Sequence, residues 1–136
     1  MGKALGIDYG TKRTGIAITD SMQMIASGLT TIPTHTIYDF ISNIILREDI
    51  VCFVVGEPKS LGGTKTDATP HVNGFVKRLQ KLYPRIPICK IDERFTSRIA
   101  KRTILDSGIK KKVRRNKLLI DQVSATIILQ DYLDYR

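Results

Sequence analysis

The run Ile50-Val51-Cys52-Phe53-Val54-Val55-Gly56 constrains this chain more than any other segment. It has no polar alternation, so a strand built from it cannot keep one face in water. Such a strand needs cover on both sides, which predicts an α/β architecture with a buried sheet. The flanks agree. Residues 36–47 (TIYDFISNIILR) set Ile37, Phe40, Ile41, Ile44 and Ile45 at helical spacing. The segment 57–67, rich in Gly, Lys and Thr, reads as a loop. Thr69-Pro70 then has the chemistry of an N-cap followed by proline at the first helical position. Val72, Phe75, Val76, Leu79 and Leu82 share one face of the helix that follows, and Pro84 stops it. Residues 86–91 (IPICKI) form the last strand.

The first third of the chain is different. Residues 3–9, 13–19 and 24–32 read as strands joined by short turns, an antiparallel meander. Beyond the last strand, Thr96 caps a helix to Asp106 that Gly108 ends, and residues 110–117 (KKKVRRNK) make a basic loop. A final helix covers roughly 117–133. The order β-β-β-α-β-α-β-α-α implies a mixed five-stranded sheet with helices on both faces. The 136 residues suit a single domain, 1–136, large enough to bury a core without disulfides.

No apolar run approaches the roughly 18 residues of a membrane span, and Asp8 arrives before a signal region could form. Cys52 and Cys89 each sit in a strand-like run and lack metal-site spacing, as buried thiols of a reducing compartment would. The expectation is a cytoplasmic protein with no membrane partner. Lys and Arg number 22 against 13 acids, a net charge of +9, which argues for an anionic partner, most often nucleic acid.

Ligands of such sheets gather at the carboxyl ends of the parallel strands. Asp8 closes the first strand, Glu57 follows the central one, and Asp92 and Glu93 close the last. If those strands are parallel neighbours, their acids crowd one edge, where carboxylates repel one another unless a cation intervenes. Oxygen donors of this kind suit Mg²⁺ or Mn²⁺. Asp121 adds an acid to a helix face shared with Leu118, Ala125, Ile128 and Tyr132. An acid there is costly unless paired, metal-bound or able to reach water at the rim. Each acid also has an ordinary reading. Asp8 could cap the turn Tyr9–Lys12, Asp92 or Glu93 could pair with Arg94, and Glu57 could be a solvated loop residue.

Between Arg98 and Lys117 stand nine cations, among them Lys110, Lys111, Lys112, Arg114 and Arg115, with Asp106 as the one acid. That density suits phosphate-backbone contacts, which position a nucleic acid without reading its sequence. No aromatic is interleaved, so no stacking platform for single strands is indicated.

Several blocks together resemble the YqgF (RuvX) family. They are Gly6-Ile7-Asp8-Tyr9-Gly10-Thr11-Lys12-Arg13-Thr14-Gly15, then Val54-Val55-Gly56-Glu57-Pro58 with Gly63-Thr64, then Asp92-Glu93-Arg94-Phe95-Thr96-Ser97. Asp121 with Ala125, Ile128-Leu129-Gln130 and Tyr132-Leu133 completes the set. The resemblance runs from residue 5 to residue 133. It implies a ribonuclease-H-like fold and a nuclease that either resolves Holliday junctions or matures the 5′ end of pre-16S rRNA. Carried over by position, Asp8, Glu93 and Asp121 become the catalytic, metal-binding acids, with Asp92 and Glu57 as further candidates. Many members have an apolar residue where Glu57 stands, which points to Glu93 as the third ligand. Thr11, Lys12, Arg13 and Arg94 would hold the phosphate near the cut, and Lys110–Lys117 the flanking backbone.

The expected partner is structured RNA or branched DNA, bound by a monomer or a homodimer. Two rivals stand beside this reading. One is a non-catalytic nucleic-acid-binding module, which carboxylates at the strand ends would hinder by repelling bare phosphates. The other is an actin-like phosphotransferase, suggested by Asp8-x-Gly10-Thr11 but needing a second lobe that the chain does not supply.

Overall fold

The computed structural model describes residues 2–57, 69–92 and 117–135. Five strands form one sheet: β1 (Lys3–Tyr9), β2 (Arg13–Thr19), β3 (Ala26–Pro33), β4 (Ile50–Glu57) and β5 (Ile88–Asp92). Their order is β3-β2-β1-β4-β5. β1, β2 and β3 pair antiparallel as the expected meander, and β4 and β5 add in parallel to β1. The described helices are α1 (Ile37–Arg47), α2 (Thr69–Leu82) and α3 (Lys117–Tyr135), with a short 3-10 turn at Thr34–Thr36 leading into α1. The helix expected over 96–106 lies outside the described residues.

Boundaries differ from the sequence reading by a few residues at β3, β5 and the end of α3. At β3 the difference has a cause. Met24 and Ile25 look strand-like, but their backbone N–H groups donate to Asp20 Oδ1 at 2.8 and 2.9 Å, which makes them part of the turn. Those two bonds hold the exposed Asp20 carboxyl below its usual range, the Ile25 N–H contributing most.

The strand alternation divides the core in two. Leu5, Ile7, Ile16, Phe53 and Val55 face one layer and pack with Ile37, Ile41 and Ile44 of α1 and Val72, Phe75, Val76 and Leu79 of α2. Ala4, Ala17, Cys52 and Val54 face the other and pack with Ala125, Ile128 and Leu129 of α3. The central run thus is buried on both sides: Phe53, Val54 and Val55 are fully inaccessible. The α3 layer is the tighter one. The sheet presents Ala4, Gly6, Gly15 and Ala17 there, so the helix backbone itself can settle onto the strands.

Candidate active site at the carboxyl ends of the parallel strands

Asp8 takes its direction from β1. Ala4 faces α3, and at Gly6 a side chain would meet Leu129 and the Ala125 carbonyl. Asp8 falls next on that alternation and is partly buried near the strand end. Its partner across the ladder is Gly15. A Cβ on Gly15 would overlap the backbone carbonyl oxygen of Asp121. The α3 backbone at Asp121 therefore rests on the residue paired with Asp8, and ladder partners have Cα atoms only about 4.5–5.5 Å apart. Two acids distant in sequence are brought to one spot because glycine stands between the sheet and the helix.

Arg13, two residues before Gly15, belongs to the same face. Its Nε donates to Asp121 Oδ2 at 3.0 Å, with the side chains 37% and 24% exposed. Of the options open to Asp121, the described contact is a pair with a cation. At this exposure such a pair contributes about 0–1 kcal/mol, so it orients the two groups more than it stabilises the fold. Arg13 was expected at phosphate; here it is turned toward the carboxylate.

The turn between Asp8 and Arg13 is held from beneath. Thr34 Oγ1 donates to the Gly10 carbonyl at 2.6 Å. The Thr34 N–H donates to the Lys12 carbonyl at 3.0 Å. Thr14 and Thr34 hydroxyls meet at 2.8 Å in the interior. Because the Thr34 proton goes to Gly10, the Thr14 hydroxyl is the donor between them. Sequence reasoning missed both threonines. The signal was available for Thr14, a hydroxyl on the same strand parity as the core residues Ile16 and Ile18. Thr11 and Lys12 sit exposed on this anchored turn, where a phosphate beside Asp8 would be met.

The strand ends collect the other acids as expected, but not all on one face. Glu57 and Asp92 are register partners across β4 and β5. Glu57 follows the parity of Phe53 and Val55, which face α1 and α2, so it is turned to the opposite side of the sheet from Asp8. Glu93, Arg94, Lys110, Lys111, Lys112, Arg114 and Arg115 lie outside the described residues, and Lys117 opens α3. Among the described residues no three His, Cys, Asp or Glu side chains are grouped tightly enough to hold a metal ion. The described part of the candidate set is Asp8 and Asp121, both hard oxygen donors of the type Mg²⁺ and Mn²⁺ take.

The profile of the RuvX family, described as Holliday junction resolvase, matches residues 2–135. The chain belongs to the RuvX family. A Flavobacterium johnsoniae protein named "Putative pre-16S rRNA nuclease" is 53% identical to it over 133 residues, spanning 98% of this chain and 96% of that protein. A Porphyromonas gingivalis protein of the same name is 50% identical over 134 residues, spanning 98% and 97%. Among solved structures, Thermus thermophilus RuvC in complex with a Holliday junction substrate aligns with TM-score 0.57 at 15% identity, covering 98% of this chain and 96% of that one. A second Thermus thermophilus RuvC structure gives TM-score 0.54 at 12% identity, covering 97% of this chain and 96% of that one. At such identity the likeness speaks for the fold, which is ribonuclease-H-like. This RuvX chain is thus a member of a nuclease family, and its Asp8 and Asp121 stand on the face of the sheet that α3 covers.

Proposed function

We propose that residues 1–136 act as one nuclease domain that hydrolyses phosphodiester bonds in structured nucleic acid, with Asp8, Glu93 and Asp121 as its acids. The observation that carries this is the seating of α3 at Asp121 on Gly15, the ladder partner of Asp8. Nothing in packing alone calls for two carboxylates at that contact, since burying charge is costly. Asp8 and Asp121, with Glu93 from the end of β5, would hold Mg²⁺ or Mn²⁺. A divalent cation there supplies an activated water and charge stabilisation for the leaving oxygen. Asp92 is the register partner of Glu57, so the parity that argues against a share for Glu57 in this site argues equally against Asp92 and leaves Glu93 as the third acid.

The protein's own residues do the positioning. Thr34 and Thr14 hold the Gly10–Lys12 turn, so Thr11 and Lys12 meet the phosphate next to the cut from a fixed support. Arg13 keeps Asp121 oriented and its charge compensated before the cation and substrate arrive. Arg94 and the cations of 110–117 contact the flanking backbone. The relatives' name favours pre-16S rRNA as substrate, for which we propose action at the 5′ end and in the cytoplasm, and the family description favours a four-way DNA junction. Junction cutting calls for a symmetric dimer because two strands are cut, whereas RNA maturation works with a monomer.

A second reading, a binding module without catalysis, draws support from the Arg13–Asp121 pair, since a compensated acid has no need of a metal. One experiment separates them. Labelled four-way junction and labelled rRNA precursor are incubated with wild type and with Asp8→Asn, in Mg²⁺ or Mn²⁺. Cleavage of one substrate, lost in Asp8→Asn while binding persists, is the expected result. Tight binding of both with no cleavage of either would sink the nuclease reading in favour of the binding module.

A further inference from the structure

The outward face of α2 belongs to no part of the site described above. It carries Gly74, Lys77, Arg78 and Lys81 within about two turns, opposite the buried stripe Val72, Phe75, Val76 and Leu79. Together with Leu82, those four residues line a shallow groove of about 540 Å³. The 14 residues of α2 include no acid. None of Lys77, Arg78 and Lys81 has an ion-pair partner among the described residues.

Three observations point to an anion. First, the spacings Lys77–Lys81 and Arg78–Lys81 put like charges on adjacent turns, an arrangement that destabilises an isolated helix. The helix dipole favours a cation in the last turn but does not account for three of them. Second, Gly74 lies exposed in mid-helix, and a Cβ there would meet nothing within 4 Å. Glycine weakens a helix interior, and here no neighbouring element requires it. Its missing side chain leaves a floor over which a partner's backbone can come close to the helix. Third, Arg78 is already held. Its guanidinium carbon lies 4.6 Å from the centre of the Tyr38 ring, so stacking fixes the group before any ligand arrives.

We propose that this face binds a second stretch of nucleic-acid phosphate backbone, on the layer of the sheet opposite to Asp8. The proposal rests on the nuclease reading and deepens it: the chain would hold structured nucleic acid at two places, the α3-side acids and the α2 groove. A second copy of the chain is disfavoured as occupant, because two such faces would bring like charges together. The net charge of +9 and the groove's three cations complement a polyanion instead.

The test measures binding of a short RNA hairpin and of the same hairpin extended by about 10 base pairs, one helical turn, across a salt series. Wild type is compared with Lys77→Gln/Arg78→Gln/Lys81→Gln, in which three exposed side chains lose charge but keep helix propensity. The wild type should bind the extended hairpin with a steeper salt dependence than the short one. The triple variant should lose that increment and bind the short hairpin as before. Three lost contacts remove about 2.7 from the log–log salt slope, or about 40-fold of the affinity change between 50 and 200 mM salt. Equal slopes for wild type and variant on the extended hairpin overturn the α2 proposal and leave the nuclease reading intact. Failure of the wild type to bind either hairpin overturns the α2 proposal together with the RNA form of the nuclease reading, and leaves the DNA-junction form standing. Sedimentation as a dimer that the triple variant dissociates would assign the face to a second copy and also overturn it.

Discussion

Replacing Gly15 by alanine adds one methyl group at the contact on which the candidate site depends. Its Cβ would overlap the Asp121 carbonyl oxygen and lie 3.1 Å from the Gln122 nitrogen. Both obstacles are main chain and cannot rotate away, so α3 must withdraw or the β1–β2 ladder must bend. Overpacking of this kind costs about 1–3 kcal/mol, and a backbone obstacle belongs at the upper end. With a urea slope of roughly 2 kcal/mol/M, the unfolding midpoint falls by about 1.5 M. A displacement on the order of 1 Å at a catalytic group costs about 10²-fold in rate, so cleavage should fall with stability. Gly74→Ala is the control, the same methyl added where nothing lies within 4 Å. It should raise stability by about 0.5–1 kcal/mol, the usual helix-interior difference between the two residues. Urea unfolding of the two variants beside wild type is the assay. A Gly15→Ala midpoint equal to wild type, or equal losses in both variants, would refute the reasoning.

Other expectations follow from single contacts. Thr14→Val removes the buried donor to Thr34 and should cost about 1–2 kcal/mol in urea unfolding, with no loss meaning that the hydroxyl pair is idle. Arg13→Ala should cost about 1 kcal/mol or less, because the pair with Asp121 is partly exposed; a much larger loss would show that its role is structural. Charge reversal at Lys111 and Arg114 should weaken nucleic-acid binding and lower the log–log salt slope by roughly 2, read by fluorescence anisotropy. Burial pushes the Cys52 thiol up to about 11 from an ordinary 9.0. The folded state therefore holds a proton that the unfolded chain gives up, and stability should fall as pH rises from 9.0 toward about 11. Thermal unfolding of Cys52→Ala over that window should decline less steeply than wild type, and parallel curves would contradict the assignment.

Local chemistry and periodicity carry far in this chain. The unbroken apolar run through Val54 and Val55 could only be a doubly covered strand, and the structure buries both completely. The short turns around Gly10–Lys12 and Asp20–Ile25 made the meander readable, because a connection of that length joins antiparallel neighbours. Strand ends are readable too, and they put Asp8, Glu57 and Asp92 at one edge of the sheet. Which of them share a face was harder to read, because the side-chain period of a strand is two and the last residue's side depends on the register. Glu57 and Asp8 separate on that ground.

Among the described residues, the elements, their order and the acids Asp8, Glu57 and Asp92 at strand ends are legible from the chain alone, since these depend on neighbours along it. Tertiary structure decided that the α3 backbone at Asp121 rests on Gly15, the ladder partner of Asp8, that Arg13 turns to a carboxylate, and that Thr34 holds the turn between Asp8 and Arg13. Those are contacts between segments that only packing brings together. Gly6 and Gly15 carry the reason: they look like turn or bulge residues within strands, and their purpose becomes visible only when a helix backbone lies where their side chains would have been.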